Sequence, residues 1–199
     1  QLDTPLKLES VGPNATWYAP TSVTELNTVL QPLVTSKDNF EFVLGGTSRG
    51  VKKYYNGVVD GTSSGNTPDT YISLFRVKEL HAMTLTNGNV TVGSAVTLSE
   101  LIEMLQKDTN DSMHAQLARH LSRVANLQVR NVGGWAGNLC MSKKFPTFPS
   151  DVLTTLSTAG ATVQIQRWTT TTDKTAAATS ITTDTTAPPP LTPTVEHLT

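Results

Sequence analysis

QVRNVGGWAGN, residues Gln128 to Asn138, crowds Gly133, Gly134, Ala136 and Gly137 into one run and closes it with an amide side chain. A glycine inside a regular element costs about 0.5–1 kcal/mol relative to alanine, so a cluster of them answers a need. The need is either a tight turn or close approach of the backbone to a ligand. Upstream, Met113, Leu117, Leu121 and Val124 recur at helical spacing and predict a helix running into this stretch. Downstream, Ser150 is placed to cap a helix carrying Leu153 and Leu156, and Ala161 to Gln166 (ATVQIQ) alternates like a strand.

The first half of the chain has a different rhythm. Residues 1–13 read as an extended lead-in. Ser22 and Glu25 then form a capping box, opening a helix whose apolar stripe is Val23, Leu26, Val29, Leu30 and Leu33. Phe40 to Leu44 is a short strand-type run stopped by Gly45-Gly46, and Tyr71 to Leu74 reads as another strand. Between them, Asp60 to Asp69 is turn chemistry throughout. Thr84 to Val92 alternates around Asn87-Gly88, a strong hairpin signal. Thr97-Leu-Ser-Glu100 is a second capping box, with Leu98, Leu101, Ile102 and Leu105 facing inward. The pattern is α+β in two unequal lobes, about 15–75 and 76–166, preceded by a lead-in over 1–14.

From Thr169 onward thirteen of 31 residues are threonine, with Pro188-Pro189-Pro190 among them. Such a composition buries too little apolar surface to offset its ordering entropy, so 167–199 reads as a disordered, low-complexity tail.

Composition narrows the function. A net charge of −1 over 199 residues argues against nucleic acid or an acidic membrane surface as partner. The apolar runs are too short to span a bilayer. The single cysteine, Cys140, excludes an internal disulfide and a cysteine-ligated cluster, and the four histidines show no metal-ligand spacing. Gln1 to Ser10 lacks the apolar core of a signal peptide. The sequons at Asn14, Asn89 and Asn110 keep a secreted, glycosylated reading open.

A second glycine loop stands about ninety residues upstream, in FVLGGTSRG (Phe42–Gly50). A strand ending in two glycines and two hydroxyl residues offers unobstructed N–H groups plus Thr47 and Ser48 as donors, which suits phosphate oxygens. It is neither a Walker loop nor a GxGxxG turn. Alone it reads as a plain turn; with the second loop it forms a candidate cradle for a pyrophosphate.

The succession of WYAPTSVTEL, FVLGGTSRG, PDTYISLFRVKELHAM, NVTVGSAVTLSEL, HLSRVANLQVRNVGGWAGNLCMSKKFPTFPSD and LTTLSTAGATVQI resembles one family in order. It is similar to the FAD-binding domain of the molybdenum hydroxylases, xanthine dehydrogenase and aldehyde oxidase, over about residues 15–166. The resemblance implies a two-lobed fold of the PCMH or vanillyl-alcohol-oxidase type with FAD between the lobes. It implies electrons arriving from 2Fe–2S clusters, filled by a molybdopterin centre, and leaving to NAD+ or O2. The clusters and molybdopterin belong to partner domains. A cytoplasmic location follows from the resemblance.

By the same resemblance, Val43, Leu44, Gly45, Gly46, Thr47, Ser48 and Gly50 match the first FAD loop. Gly134, Gly137 and Asn138 match the second, Asp151 matches the aspartate of the family's Ser-Asp pair, and Val124 falls where some members place a phenylalanine against the flavin. Gly134 stands in for the family's usual hydroxyl residue, and Ala136 for the first glycine of its Gly-Gly-Asn. The family continues into a further C-terminal subdomain where this chain has its threonine-rich segment, so a truncated domain is expected.

Other residues have ordinary readings. His81 is expected to be a loop histidine, Arg123 and Arg130 a solvated helix face, and Cys140 a small buried hydrophobe. Trp135 either plugs the lobe interface or stacks on adenine. Two functions follow: an FAD-binding, electron-transferring domain unable to hydroxylate alone, or a flavin-free, secreted descendant acting as a binding or structural protein.

Overall fold

The computed structural model describes residues 4–9, 15–52, 69–108 and 112–166. The first lobe is a four-stranded sheet of β1 (Leu6–Glu9), β2 (Thr16–Ala19), β3 (Phe40–Val43) and β4 (Thr70–Ser73), in the order β1-β2-β4-β3. The three strands β2, β4 and β3 are parallel, and β1 closes the edge antiparallel to β2. Part of the expected lead-in therefore belongs to the sheet.

Helix α1 (Val23–Ser36) carries the chain from β2 across to β3. Its stripe behaves as the spacing predicts: Leu26 and Leu30 are buried against Ile72, with Val29, Leu33, Tyr18 and Phe40 packed around them. Ser22 caps it by accepting from the Glu25 N–H at 3.2 Å. The reciprocal arm goes one residue further back, where the Glu25 carboxylate accepts from both the N–H and the hydroxyl of Thr21. Those bonds, the backbone one foremost, hold the Glu25 carboxyl below its ordinary pKa. Pro32 lies inside the helix on its exposed side, and Lys37 ends it in the left-handed region.

The second lobe begins with the hairpin of β5 (Met83–Thr86) and β6 (Asn89–Val92). Its two turn residues, Asn87 and Gly88, both have positive φ, as the Asn-Gly signal predicts. Helices α3 (Leu98–Lys107) and α4 (Ser112–Leu121) then pack on each other, followed by α5 (Leu127–Arg130), α6 (Trp135–Lys144) and α7 (Asp151–Thr158). The capping box at Thr97 and Glu100 is complete, and Leu98, Leu101, Ile102 and Leu105 are all in the core.

Three expectations are corrected here. On α4 the buried face is His114, Ala118 and Leu121, while Met113 is 53% exposed. His114 is tolerated inside because its Nδ1 meets the Asp108 carboxylate at 2.9 Å. On α7 the buried residue is Val152, and Leu153 is turned outward. Ala161 to Gln166 forms no strand, and Val163 and Ile165 are exposed. Alternation prepares one face of a strand, but a ladder also requires a neighbour, and no described residue provides one. The threonine-rich segment and most of Asp60 to Asp69 lie outside the described residues.

Candidate functional site

The three parallel strands end on one side, and the first glycine loop leaves the sheet there. Gly45 and Gly46 both have positive φ (23° and 64°), so the chain folds back at once and the Gly46 N–H meets the Leu44 carbonyl at 2.6 Å. Thr47 and Ser48 form the turn into the short helix α2 (Arg49–Lys52). Beside this loop lies an open cleft of about 480 Å³, lined by Trp17, Val43, Leu44, Gly45, Gly46, Arg49, Ser73 and Phe75. Ligands of open α/β sheets sit in this position, outside the carboxyl ends of parallel strands. Trp17 and Tyr71 face each other across β2 and β4 and stack with centroids 5.9 Å apart. The Arg49 guanidinium lies 5.0 Å over the Tyr71 ring, which sets a positive charge at the cleft.

The second glycine loop is built from α5. Asn126 caps that helix through the Val129 N–H at 2.9 Å, and Arg130 donates to the carbonyls of Val124 and Ala125. Arg130 thus braces the loop instead of lying free on a helix face. Gly133 accepts from the Leu98 N–H at 2.9 Å, and Gly134 bridges Thr97. Gly134 then serves as N-cap of α6 with no side-chain bond to the helix.

The two loops meet. A β-carbon on Gly45 would overlap the Val132 carbonyl and one on Gly134 would lie 2.6 Å from Leu44 Cδ2, while one on Gly133 would first meet the Val129 carbonyl of its own loop at 2.9 Å and then Thr47 Oγ1 at 3.2 Å. By contrast, Gly46, Gly50 and Gly137 have open space where a side chain would go. The glycines therefore divide into two kinds. Gly45 and Gly134 let the loops pack on each other, Gly133 makes room for the Val129 carbonyl of its own loop and for Thr47, and Gly46 and Gly137 keep the outer backbone unobstructed.

Among the anticipated site residues, Val43, Leu44, Gly45 and Gly46 line the cleft, Thr47 touches the second loop, Ser48 completes the turn and Gly50 lies in α2. Gly137 occupies the first turn of α6, exposed. The Asn138 carboxamide oxygen accepts from the Ser150 hydroxyl, which ties α6 to the start of α7 and brings exposed Asp151 alongside. Val124 does not line the cleft: its apolar side chain packs on the second-lobe core.

Two further expectations resolve. Trp135 does not sit between the lobes: it packs within the second-lobe core, with its Nε1 donating to the Gly93 carbonyl at 2.9 Å. Cys140 is exposed as a residue instead of buried, although neighbouring atoms crowd its thiol and raise its pKa. Unanticipated at the cleft were Trp17, Arg49, Ser73 and Phe75. The alternation of β2 and β4 carried a signal for Trp17 and Tyr71, but their register became known only with the fold.

Residues 11–187 match the family described as the FAD binding domain in molybdopterin dehydrogenase. The chain belongs to this family. The matched span is wider than the residues 15–166 that carried the resemblance. As a molybdopterin-dehydrogenase FAD-binding domain, it is 31% identical over 152 residues to probable aldehyde oxidase 1 of Oryza sativa subsp. japonica, covering 76% of this chain. It is 34% identical over 149 residues to the indole-3-acetaldehyde oxidase of Arabidopsis thaliana, covering 75% of this chain. The chain spans 10% of the length of each of those relatives. Among solved structures it is similar to the carbon monoxide dehydrogenase of Hydrogenophaga pseudoflava, with 22% identity and a TM-score of 0.47. That match covers 70% of this chain and 41% of the other.

The residues present suit the diphosphate end of FAD. Gly46 and Gly137 leave the backbone open, Thr47 and Ser48 add hydroxyl donors, and α6 begins without a side-chain cap on its N–H groups. No described helix is long and apolar enough to cross a membrane, and no metal-binding cluster occurs among the described residues.

Proposed function

We propose that this chain holds FAD at its paired glycine loops and serves as the electron-transferring domain of an aldehyde-oxidase-like or xanthine-dehydrogenase-like molybdo-flavoenzyme. The observation that carries the reading is the packing of Gly45 on Val132, which joins two distant loops beside a cleft at the strand ends. When bound, FAD supplies the redox chemistry, and the protein supplies position and electrostatics.

Each residue has a task in this reading. Gly46 and Gly137 admit the cofactor's phosphates to the backbone, and Thr47 and Ser48 donate hydroxyl hydrogens to them. The partial positive charge at the start of α6, together with Arg49, offsets their negative charge. Asp151, beside Asn138, supplies acceptor oxygens for cofactor hydroxyls. The electrons come from 2Fe–2S and molybdopterin domains of the same assembly and leave to NAD+ or O2.

The test is direct. The purified chain, incubated with FAD and freed of excess, shows a flavin absorption spectrum and releases FAD on denaturation. A colourless protein that takes up no FAD overturns the reading. Anaerobic bleaching of that flavin by NADH identifies a nicotinamide partner, whereas indifference to NADH, with rapid reoxidation in air once the flavin has been reduced by dithionite, identifies O2.

A second reading, a flavin-free and secreted descendant, has two observations in its favour. The Asn138 carboxamide is engaged by Ser150, and Leu44 fills the space beside Gly134. It requires the colourless outcome, together with a mass lost from native material on glycosidase treatment.

A further inference from the structure

Gly134 is not needed for its backbone. Its φ of −93° and ψ of 153° lie in the extended region open to any residue, and serine or threonine is the preferred occupant of a helix N-cap. Two contacts oppose a side chain there: Leu44 Cδ2, the end of a flexible side chain, 2.6 Å from the place a β-carbon would take, and the Val96 carbonyl oxygen at 3.2 Å. Leu44 in turn lines the cleft at the end of β3.

We propose that Leu44 and Gly134 are a matched pair that sets the spacing of the two glycine loops, with Leu44 a positioning residue for FAD. The inference rests on the reading above and adds to it. A hydroxyl residue at 134 drives the Leu44 side chain from its place beside the cleft, so it weakens the site although it adds an acceptor. With the leucine shortened, the same hydroxyl has room and caps α6. The carbonyl of Val96 then has to yield by a few tenths of an ångström.

The test is a cycle of Gly134→Ser, Leu44→Ala and the double variant, with FAD dissociation constants measured below the unfolding temperature of every variant. Gly134→Ser is expected to weaken FAD binding roughly tenfold and Leu44→Ala roughly threefold, with the double variant no weaker than Leu44→Ala. The apo proteins follow the same order in thermal unfolding, and the double variant is at least as stable as Leu44→Ala. A purely structural contact moves the unfolding midpoints and leaves the FAD constants of the folded variants alike. Effects that simply multiply, or a Gly134→Ser variant equal to wild type, overturn the pairing. If Gly134→Ser does not fold, Gly134→Ala completes the cycle. Failure of the wild type to take up FAD sinks the flavin reading and the positioning role with it, while the unfolding cycle still decides whether the two residues are matched.

Discussion

The backbone carbonyl of Val132 occupies the space that a β-carbon on Gly45 would need, so the first glycine of the GGTS loop is held against the second loop. The next residue, Gly46, has positive φ and nothing within 4 Å of its missing side chain. The two adjacent glycines answer different constraints. Gly45→Ala combines a backbone clash with left-handed strain and is expected to cost about 3 kcal/mol of stability. Gly46→Ala carries the strain alone, about 1 kcal/mol. Denaturant unfolding of the two variants separates them, and equal losses show that the loop contact does not form.

Trp135 joins α6 to the hairpin through the Gly93 carbonyl, and Gly93 is itself pressed against the Leu80 carbonyl. Trp135→Phe keeps most of the packing but leaves that acceptor without its indole donor, a loss of about 1–2 kcal/mol. Trp135→Ala adds a cavity and costs about 3–5 kcal/mol. Because the ring is spent on the second-lobe core, Trp135→Phe leaves the FAD dissociation constant unchanged. A large rise in that constant with little loss of stability returns the ring to the cofactor.

Local signals were legible in the chain before its fold was known. Ser22, Thr97 and Ser150 each cap the helix they introduce, and Asn87-Gly88 turns the hairpin, because these choices are made within four residues. The two loops were legible as glycine clusters and, by resemblance, as a cofactor cradle. Burial was harder to read where it depends on a distant neighbour. Met113 has the right spacing for the α4 stripe, yet His114 takes the buried position because Asp108 satisfies it. Val163 and Ile165 alternate correctly, but alternation says nothing about whether a partner strand lies beside them. The contact of Leu44 with Gly134 joins residues far apart in sequence, and no spacing rule reaches that far.

Thr97 opens α3 with a complete capping box. Its hydroxyl oxygen accepts from the Glu100 N–H at 3.2 Å, and the Glu100 carboxylate accepts from the Thr97 N–H at 2.8 Å. Thr97 also bridges Gly134, so the cap is continuous with the second loop. Thr97→Ala is expected to cost about 1–2 kcal/mol, whereas Thr97→Ser, which keeps the acceptor, costs well under half of that. Urea titration of both variants checks the difference, and equal losses place the contribution in the methyl group instead of the cap.

Glu25 makes stability depend on acid in a way that has a definite sign. The Thr21 N–H at 2.7 Å and the Thr21 hydroxyl at 2.8 Å bind its charged form and hold its pKa below the ordinary 4.5. A carboxyl whose pKa is lower folded than unfolded contributes stability that is fully present above the unfolded value. That contribution disappears as the pH falls through the folded value, where both states become protonated. Glu25→Gln retains an acceptor oxygen but has no charge to titrate. Wild type is therefore expected to be more stable than Glu25→Gln at pH 7, with the gap closing as the pH falls from 4.5. Urea midpoints of the two proteins between pH 7 and pH 3 give the comparison, and a gap that stays constant across that range removes the carboxylate from the cap.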